Sequence, residues 1–350
     1  MQPKIISIIG ARPQFIKHAP VSLALARQFQ SISIHTGQHY DEKMSDVFFN
    51  ELKIPRPEYL LDIGKASLHG AQTGLMLQQI EEILIREKPA AVLVYGDTNS
   101  TLAGALAASK LHIPIIHIEA GLRSFNRGMP EEVNRVLTDH ISELLFAPTP
   151  LAIDNLAKEG ITKGVHRTGD VMCDTLNLMR PFLKRLQEGE YYFATLHRPY
   201  NTDEQQRLTK ILDVMNALPA PVVFPIHPRT ANNLRKWGVD TERFSNIRFV
   251  DPVGYEACLS YQSGASYVIT DSGGIQKEAY MLQVPCITVR SETEWVETLE
   301  GGCNTLVFDN LDEIAELVKQ RREIRFKDLY GDGHAADEIT GIIARHFNIA

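Results

Sequence analysis

Along the chain, short runs rich in β-branched residues alternate with longer segments whose apolar positions recur at helical spacing. The first runs are Lys4-IISII-Gly10, Ser31-ISIHT, Ala91-VLVY, Ile113-PIIHI and Leu144-LFAPT, each followed by helix-compatible sequence. This rhythm predicts a parallel, doubly wound α/β sheet. It restarts after about residue 170 with Glu190-YYFATL, Pro221-VVFPI, Asn246-IRFV, Ser266-YVIT and Pro285-CITV. Two similar Rossmann-like halves are therefore expected, with a seam near Thr168-Gly-Asp-Val-Met-Cys-Asp174. The expected division is 1–172, 173–333 and a terminal helical segment, 334–350, that packs across the seam.

Open α/β sheets bind ligands outside the carboxyl ends of their strands, so the polar residues following each run carry the candidate chemistry. After the first run, Arg12 and Lys17 lie about a turn apart at a helix start, where both suit a diphosphate or serve as solvated helix-start residues. Gly37-Gln-His-Tyr-Asp41 suits a sugar contact or a plain turn. Asp97 follows Ala91-VLVY and Glu119 closes Ile113-PIIHI, while Met129-PEEVNR-Arg135 opens a helix with Glu131 and Glu132 in its first turn. Each acid has a structural reading, as an N-cap or a helix-start charge. Their predicted convergence on one sheet edge fits general acid/base work on a sugar ring.

In the second half, Thr195-Leu-His-Arg-Pro199 puts His197 and Arg198 at a strand end, and Ile226-His-Pro228 repeats the arrangement one strand later. Asp271-SGGIQK-Glu278 is either a strand-to-helix turn whose Ser272, Gly273 and Gly274 N–H groups suit an anion, or an ordinary turn with Asp271 or Ser272 as N-cap. Glu278 falls about two turns into that helix, where it faces ribose hydroxyls or pairs on the surface.

Composition narrows the ligand. At 350 residues, 44% hydrophobic and 23% charged, the chain is ordinary globular material with room for two cores, and a net charge of -7 argues against a nucleic-acid surface. The turn after the first run has one glycine rather than G-x-G-x-x-G, so no tightly held NAD is expected. Cys173, Cys258, Cys286 and Cys303 form no metal-binding spacing and no D-x-D pair marks the chain, so neither metal nor cofactor is expected, with a cation held by the carboxylates as the minor reading. The apolar run in MQPKIISIIGARPQ is too short for a signal peptide or membrane span, and the expected setting is cytoplasmic.

Taken in order, GARPQ, TGQH, GDTNST, HIEAGLRS, MPEEVNR, LHRP, HP and DSGGIQKEA make a chain that resembles the non-hydrolysing UDP-N-acetylglucosamine 2-epimerase family over nearly its whole length. The resemblance implies a GT-B-like fold, two Rossmann-like domains facing a central cleft, and a homodimer acting on a UDP-sugar. It implies Asp97, Glu119 and Glu131 as catalytic carboxylates. It implies Arg12, Lys17, Arg135 and His197 as ligand and diphosphate contacts, and Ser272, Gly273, Gly274 and Glu278 as the uridine-nucleotide cradle. Two departures stand out. Many members have H-R-x-E-N where this chain has His197-Arg-Pro-Tyr-Asn201, and T-E-R-P-E where it has Thr293-Glu-Trp-Val-Glu297. The second variant resembles members acting on 2,3-diacetamido-glucuronate nucleotides, so that epimerisation stands as the alternative to interconversion of UDP-GlcNAc and UDP-ManNAc. A GT-B glycosyltransferase, a hydrolysing epimerase and a non-catalytic UDP-sugar binding module are the further rivals.

Overall fold

The computed structural model describes residues 2–38, 51–52, 54–64, 68–320 and 323–348. It divides into two compact units, Met1–Arg180 with Asp328–Ala350, and Pro181–Lys327. Both are Rossmann-like, as expected for an α/β chain of GT-B-like type.

The first unit is built on a seven-stranded sheet of order β3-β2-β1-β4-β5-β6-β7. Its strands are β1 (Lys4–Ile9), β2 (Gln30–His35), β3 (Tyr59–Leu60), β4 (Ala91–Tyr95), β5 (Ile115–Ile118), β6 (Leu144–Ala147) and β7 (Val165–Arg167). All neighbours pair parallel. The central strands are covered by helices on both faces, which is why their sequences are near-continuous apolar runs rather than alternating ones. Ile6, Ile8, Val92 and Val94 join Met76 and Ile80 of the helix His69–Glu87 in one core. Strand order reverses between β1 and β4. The turns at Gly10 and Gly96 therefore flank the switch point where such sheets bind ligands.

The second unit has a six-stranded parallel sheet of order β10-β9-β8-β11-β12-β13. It comprises β8 (Tyr192–Thr195), β9 (Val222–Pro225), β10 (Ile247–Val250), β11 (Tyr267–Thr270), β12 (Cys286–Thr288) and β13 (Asn304–Leu306). Its switch point lies between β8 and β11, whose ends lead into His197 and Asp271.

The sequence-based boundary at 172/173 falls inside the helix Val171–Met179, which stays with the first unit. Asp170 caps that helix by accepting from Met172 N at 2.9 Å, and Thr175 Oγ1 donates to Ile16 O at 2.8 Å, tying it to the helix Arg12–Leu25. Asp174, on the same helix, accepts from Ala335 N and Ala336 N at 3.2 and 2.8 Å. The terminal helix Ala335–His346 is thus pinned at its start to the first unit. Among the described residues no helix is long and apolar enough to cross a membrane.

Candidate active site

At the first switch point, Gln14 is buried and uses both ends of its amide. Its Oε1 accepts from Gly10 N and Ala11 N at 2.8 and 3.1 Å, and its Nε2 donates to Tyr95 O and Thr101 Oγ1, both at 3.0 Å. The turn after β1 is thereby fastened to the end of β4. One turn further along the same helix, Lys17 is buried and forms an ion pair with Glu119, which follows β5. Glu119 itself holds a left-handed backbone, φ 72°, an uncommon conformation for a side-chain-bearing residue that concentrates at functional sites. Gly96 is also left-handed, φ 58°, and a Cβ there would stand 2.9 Å from Glu119 Oε2 and 3.4 Å from Lys17 Nζ. Only glycine leaves the ion pair room.

Asp97 follows directly. Its carboxylate pairs with Arg135 of the helix Pro130–Ile141, and its carbonyl accepts from Asn134 Nδ2 at 2.9 Å. Desolvation raises its carboxyl above the ordinary range, and the neighbouring Glu119 adds to the rise while Arg135 and Lys17 oppose it. Asp97 and Glu119 thus share one electrostatic neighbourhood, with a lysine and an arginine inserted among them.

The two helix-start glutamates part company. Glu132 is buried and accepts from Ser124 N, Ser124 Oγ and Phe125 N at 2.9, 3.0 and 2.9 Å, so it shapes the loop before its own helix. Glu131, half-buried, has no hydrogen-bond or ion-pair partner among the described residues. It is the acid of the two that is left available.

Behind this set lies a network not singled out from the sequence. His117 Nδ1 is 2.6 Å from Asp139 Oδ1 and its Nε2 is 2.8 Å from Gly96 O, and both side chains are fully buried. Asp139 also accepts from Arg123 Nη1 at 2.7 Å and Gly121 N at 3.1 Å. Burial alone would raise the Asp139 carboxyl, but His117 and Arg123 together hold it below its ordinary range. It is therefore a carboxylate. The ring of His117 thus lies between two oxygens, the Asp139 carboxylate and the Gly96 carbonyl. The signal was the position of His117 near the end of β5, two residues before Glu119.

At the second switch point, Asp271 is fully buried and accepts from His197 N, Arg198 N and Asn201 Nδ2, all at 3.0 Å, while His197 Nδ1 lies 2.9 Å from its Oδ1. Burial pushes this carboxyl up, yet His197, Asn201 and the Arg198 N–H bring it below its ordinary value. Asp271 thus orients His197, whose side chain is 48% exposed and whose Nε2 has no partner among the described residues. Capping falls to Ser272, whose Oγ accepts from Ile275 N at 3.4 Å, so Gly273 and Gly274 open the helix Gly273–Met281. Glu278 is buried rather than on the surface and accepts from Gln262 Nε2 at 2.8 Å. His227 is an N-cap, accepting from Arg229 N at 3.2 Å.

Tyr200, at the first departure from the family pattern, packs edge-on against Phe308. Trp295, at the second, is buried, with Lys277 Nζ 4.0 Å above its ring centroid. Arg12 is half-buried at its helix start. Of the Gly37–Asp41 turn, His39, Tyr40 and Asp41 lie outside the described residues. Among the described residues no cluster of His, Cys, Asp and Glu has the arrangement of a metal site.

A family model described as UDP-N-acetylglucosamine 2-epimerase matches residues 22–344. A UDP-N-acetylglucosamine 2-epimerase homolog of Methanococcus maripaludis is 48% identical, the match covering 97% of this chain and 99% of the relative. A UDP-2,3-diacetamido-2,3-dideoxy-D-glucuronate 2-epimerase of Pseudomonas aeruginosa is also 48% identical, over 98% of this chain and 99% of the relative. The crystal structure of a UDP-GlcNAc 2-epimerase from Methanocaldococcus jannaschii, in complex with UDP-GlcNAc and UDP, is similar with a TM-score of 0.85 at 40% identity, covering 98% of this chain and 99% of that one.

Proposed function

The chain belongs to the UDP-N-acetylglucosamine 2-epimerase family, a family of isomerases, and from that premise we propose that it inverts C2 of a UDP-linked N-acetylated sugar without hydrolysing it, as a cytoplasmic homodimer. The observation that carries this reading is the pairing of acids with cations at the end of β4, Asp97 to Arg135 and Glu119 to Lys17, with Glu131, which has no partner among the described residues, about one turn before Arg135 on the same helix.

The C2 proton of such a sugar has no adjacent carbonyl to acidify it. Elimination avoids the difficulty. The C1–O bond breaks, UDP departs with the bonding pair, and positive charge grows on the ring while a carboxylate removes the proton from C2. The product is UDP and a 2-acetamidoglucal. In the return step a proton is delivered to the opposite face of C2 and a diphosphate oxygen of UDP adds back to C1, so the cycle is redox-neutral and consumes nothing.

Glu119 and Glu131 are the proposed proton carriers. Asp97, half-buried and fixed by Arg135, orients the sugar and stabilises the cationic ring. Arg12, His197 and the N–H groups of Ser272, Gly273 and Gly274 hold the diphosphate as its charge develops, with donors already fixed before reaction. Glu278 receives the ribose. Exclusion of water would keep the glycal from escaping.

UDP-GlcNAc is the proposed substrate. The diacetamido-glucuronate nucleotide is the second reading, favoured by Thr293-Glu-Trp-Val-Glu297 and by a relative of that name at equal identity. Incubation with each nucleotide alone, followed by chromatography, decides the matter. An epimeric nucleotide sugar from UDP-GlcNAc supports the first reading, and one from the diacetamido-uronate nucleotide alone supports the second. Free sugar plus UDP means hydrolysis, and no product from either opposes epimerisation.

A further inference from the structure

The open end of the helix Gly273–Met281 is not empty of charge. A Cβ on Gly273 would overlap Glu294 Oε1 and would lie 3.4 Å from Arg290 Nη1. Glu294 and Arg290 are themselves paired, Arg290 Nη2 to Glu294 Oε2 at 3.0 Å. A carboxylate is thus held against the face that glycine leaves bare, at the positive end of a helix dipole. The residues on either side keep it there. Thr293 Oγ1 donates to Gln276 Oε1 at 3.0 Å and Trp295 lies under Lys277, so both flanks of Glu294 are pinned to the helix whose mouth it covers.

A second observation points to a ligand. Arg290 is 4% exposed, and its Nη1, the nitrogen nearest Gly273, is buried with no hydrogen-bond partner among the described residues. A guanidinium N–H left unsatisfied in the interior is costly. An anionic oxygen entering at Gly273 would satisfy it.

We propose that Glu294 is an internal anion that covers the nucleotide cradle when it is vacant, and that the diphosphate of an incoming nucleoside diphosphate displaces it and takes over Arg290. This rests on the UDP reading above and adds a residue that competes with the ligand and one that both share. Glu294 moves by side-chain rotation alone, because its neighbours are anchored. Binding therefore carries the cost of removing a carboxylate from a favourable place.

Calorimetric titration with UDP tests this on the full chain, comparing wild type, Glu294→Gln, Arg290→Lys and the double variant, with melting curves as a folding check. Glu294→Gln keeps the shape and removes the competing charge, so UDP should bind about two- to fivefold tighter, the size of one charge at a helix terminus. Arg290→Lys should weaken binding about tenfold, as loss of a charge-assisted hydrogen bond does, and in that background Glu294→Gln should bring little or no gain. Wild-type binding with Glu294→Gln equal to it or weaker overturns the competition while leaving the UDP reading intact. Absence of UDP binding by the folded wild type removes both.

Discussion

The proton-transfer assignment rests on a contrast between adjacent glutamates that the sequence presents as equals. Glu132 has three donors on its carboxylate and Glu131 has none among the described residues. Glu131→Gln should therefore lower turnover by about 10² or more, the usual contribution of a general acid or base, with an unchanged melting temperature. Glu132→Gln should lower the melting temperature instead. Steady-state rates beside melting curves check both, and a reversal of the pattern would exchange their roles. His117 has a different task. It contacts the Gly96 carbonyl and Asp139, and acts by holding the turn that carries Asp97. Its removal by His117→Ala leaves a buried carboxylate short of a partner, which costs about 3–5 kcal/mol in comparable cases, measurable by urea unfolding. The carboxylates and glycines were legible because they stand at strand ends. Gln14 and Asp139 were not, because they meet key partners only through the fold, as across the 81 residues from Gln14 to Tyr95; Arg290 and Glu294 pair four residues apart but reach Gly273 only through the fold.

Elements position these groups through a few tight joints. At the first switch point the joint is Gly96, where Gly96→Ala adds both a left-handed strain of about 1–2 kcal/mol and a clash with the Lys17–Glu119 pair. Turnover should fall more than that stability loss alone explains, and full activity in the variant would show that the pair tolerates movement. The joint for the terminal helix is Asp174. Desolvation raises its carboxyl to about 6, against the Ala336 and Ala335 N–H groups that favour the charged form. The folded state thus keeps a proton that the unfolded chain has lost, between about pH 4 and about pH 6. The stability this group contributes is complete below that window and lost as pH rises through it. Asp174→Asn should accordingly gain on wild type in melting temperature from pH 4 to pH 7, and a pH-independent difference would refute the buried-acid account. The long apolar runs predicted the inner strands of both sheets directly. The strands β3, β7 and β13, two or three residues long, were not read from the sequence, whereas β12, equally short, was read from the apolar run that contains it.

For the whole molecule, the proposed division of labour follows the two switch points: acids and cations at the first, the proposed anion cradle at the second. The repeated rhythm in the sequence showed that two such sheets exist. It located their seam less well, since helix Val171–Met179 is held to the first unit by Thr175 and Asp174, contacts that composition does not display. The central claim is that C2 is inverted by removing its proton and returning another. Reaction of the UDP-sugar in deuterium oxide, followed by NMR of the epimeric product, tests it most directly. The account predicts deuterium at C2 of the product; epimeric product that retains its original hydrogen at C2 would contradict it.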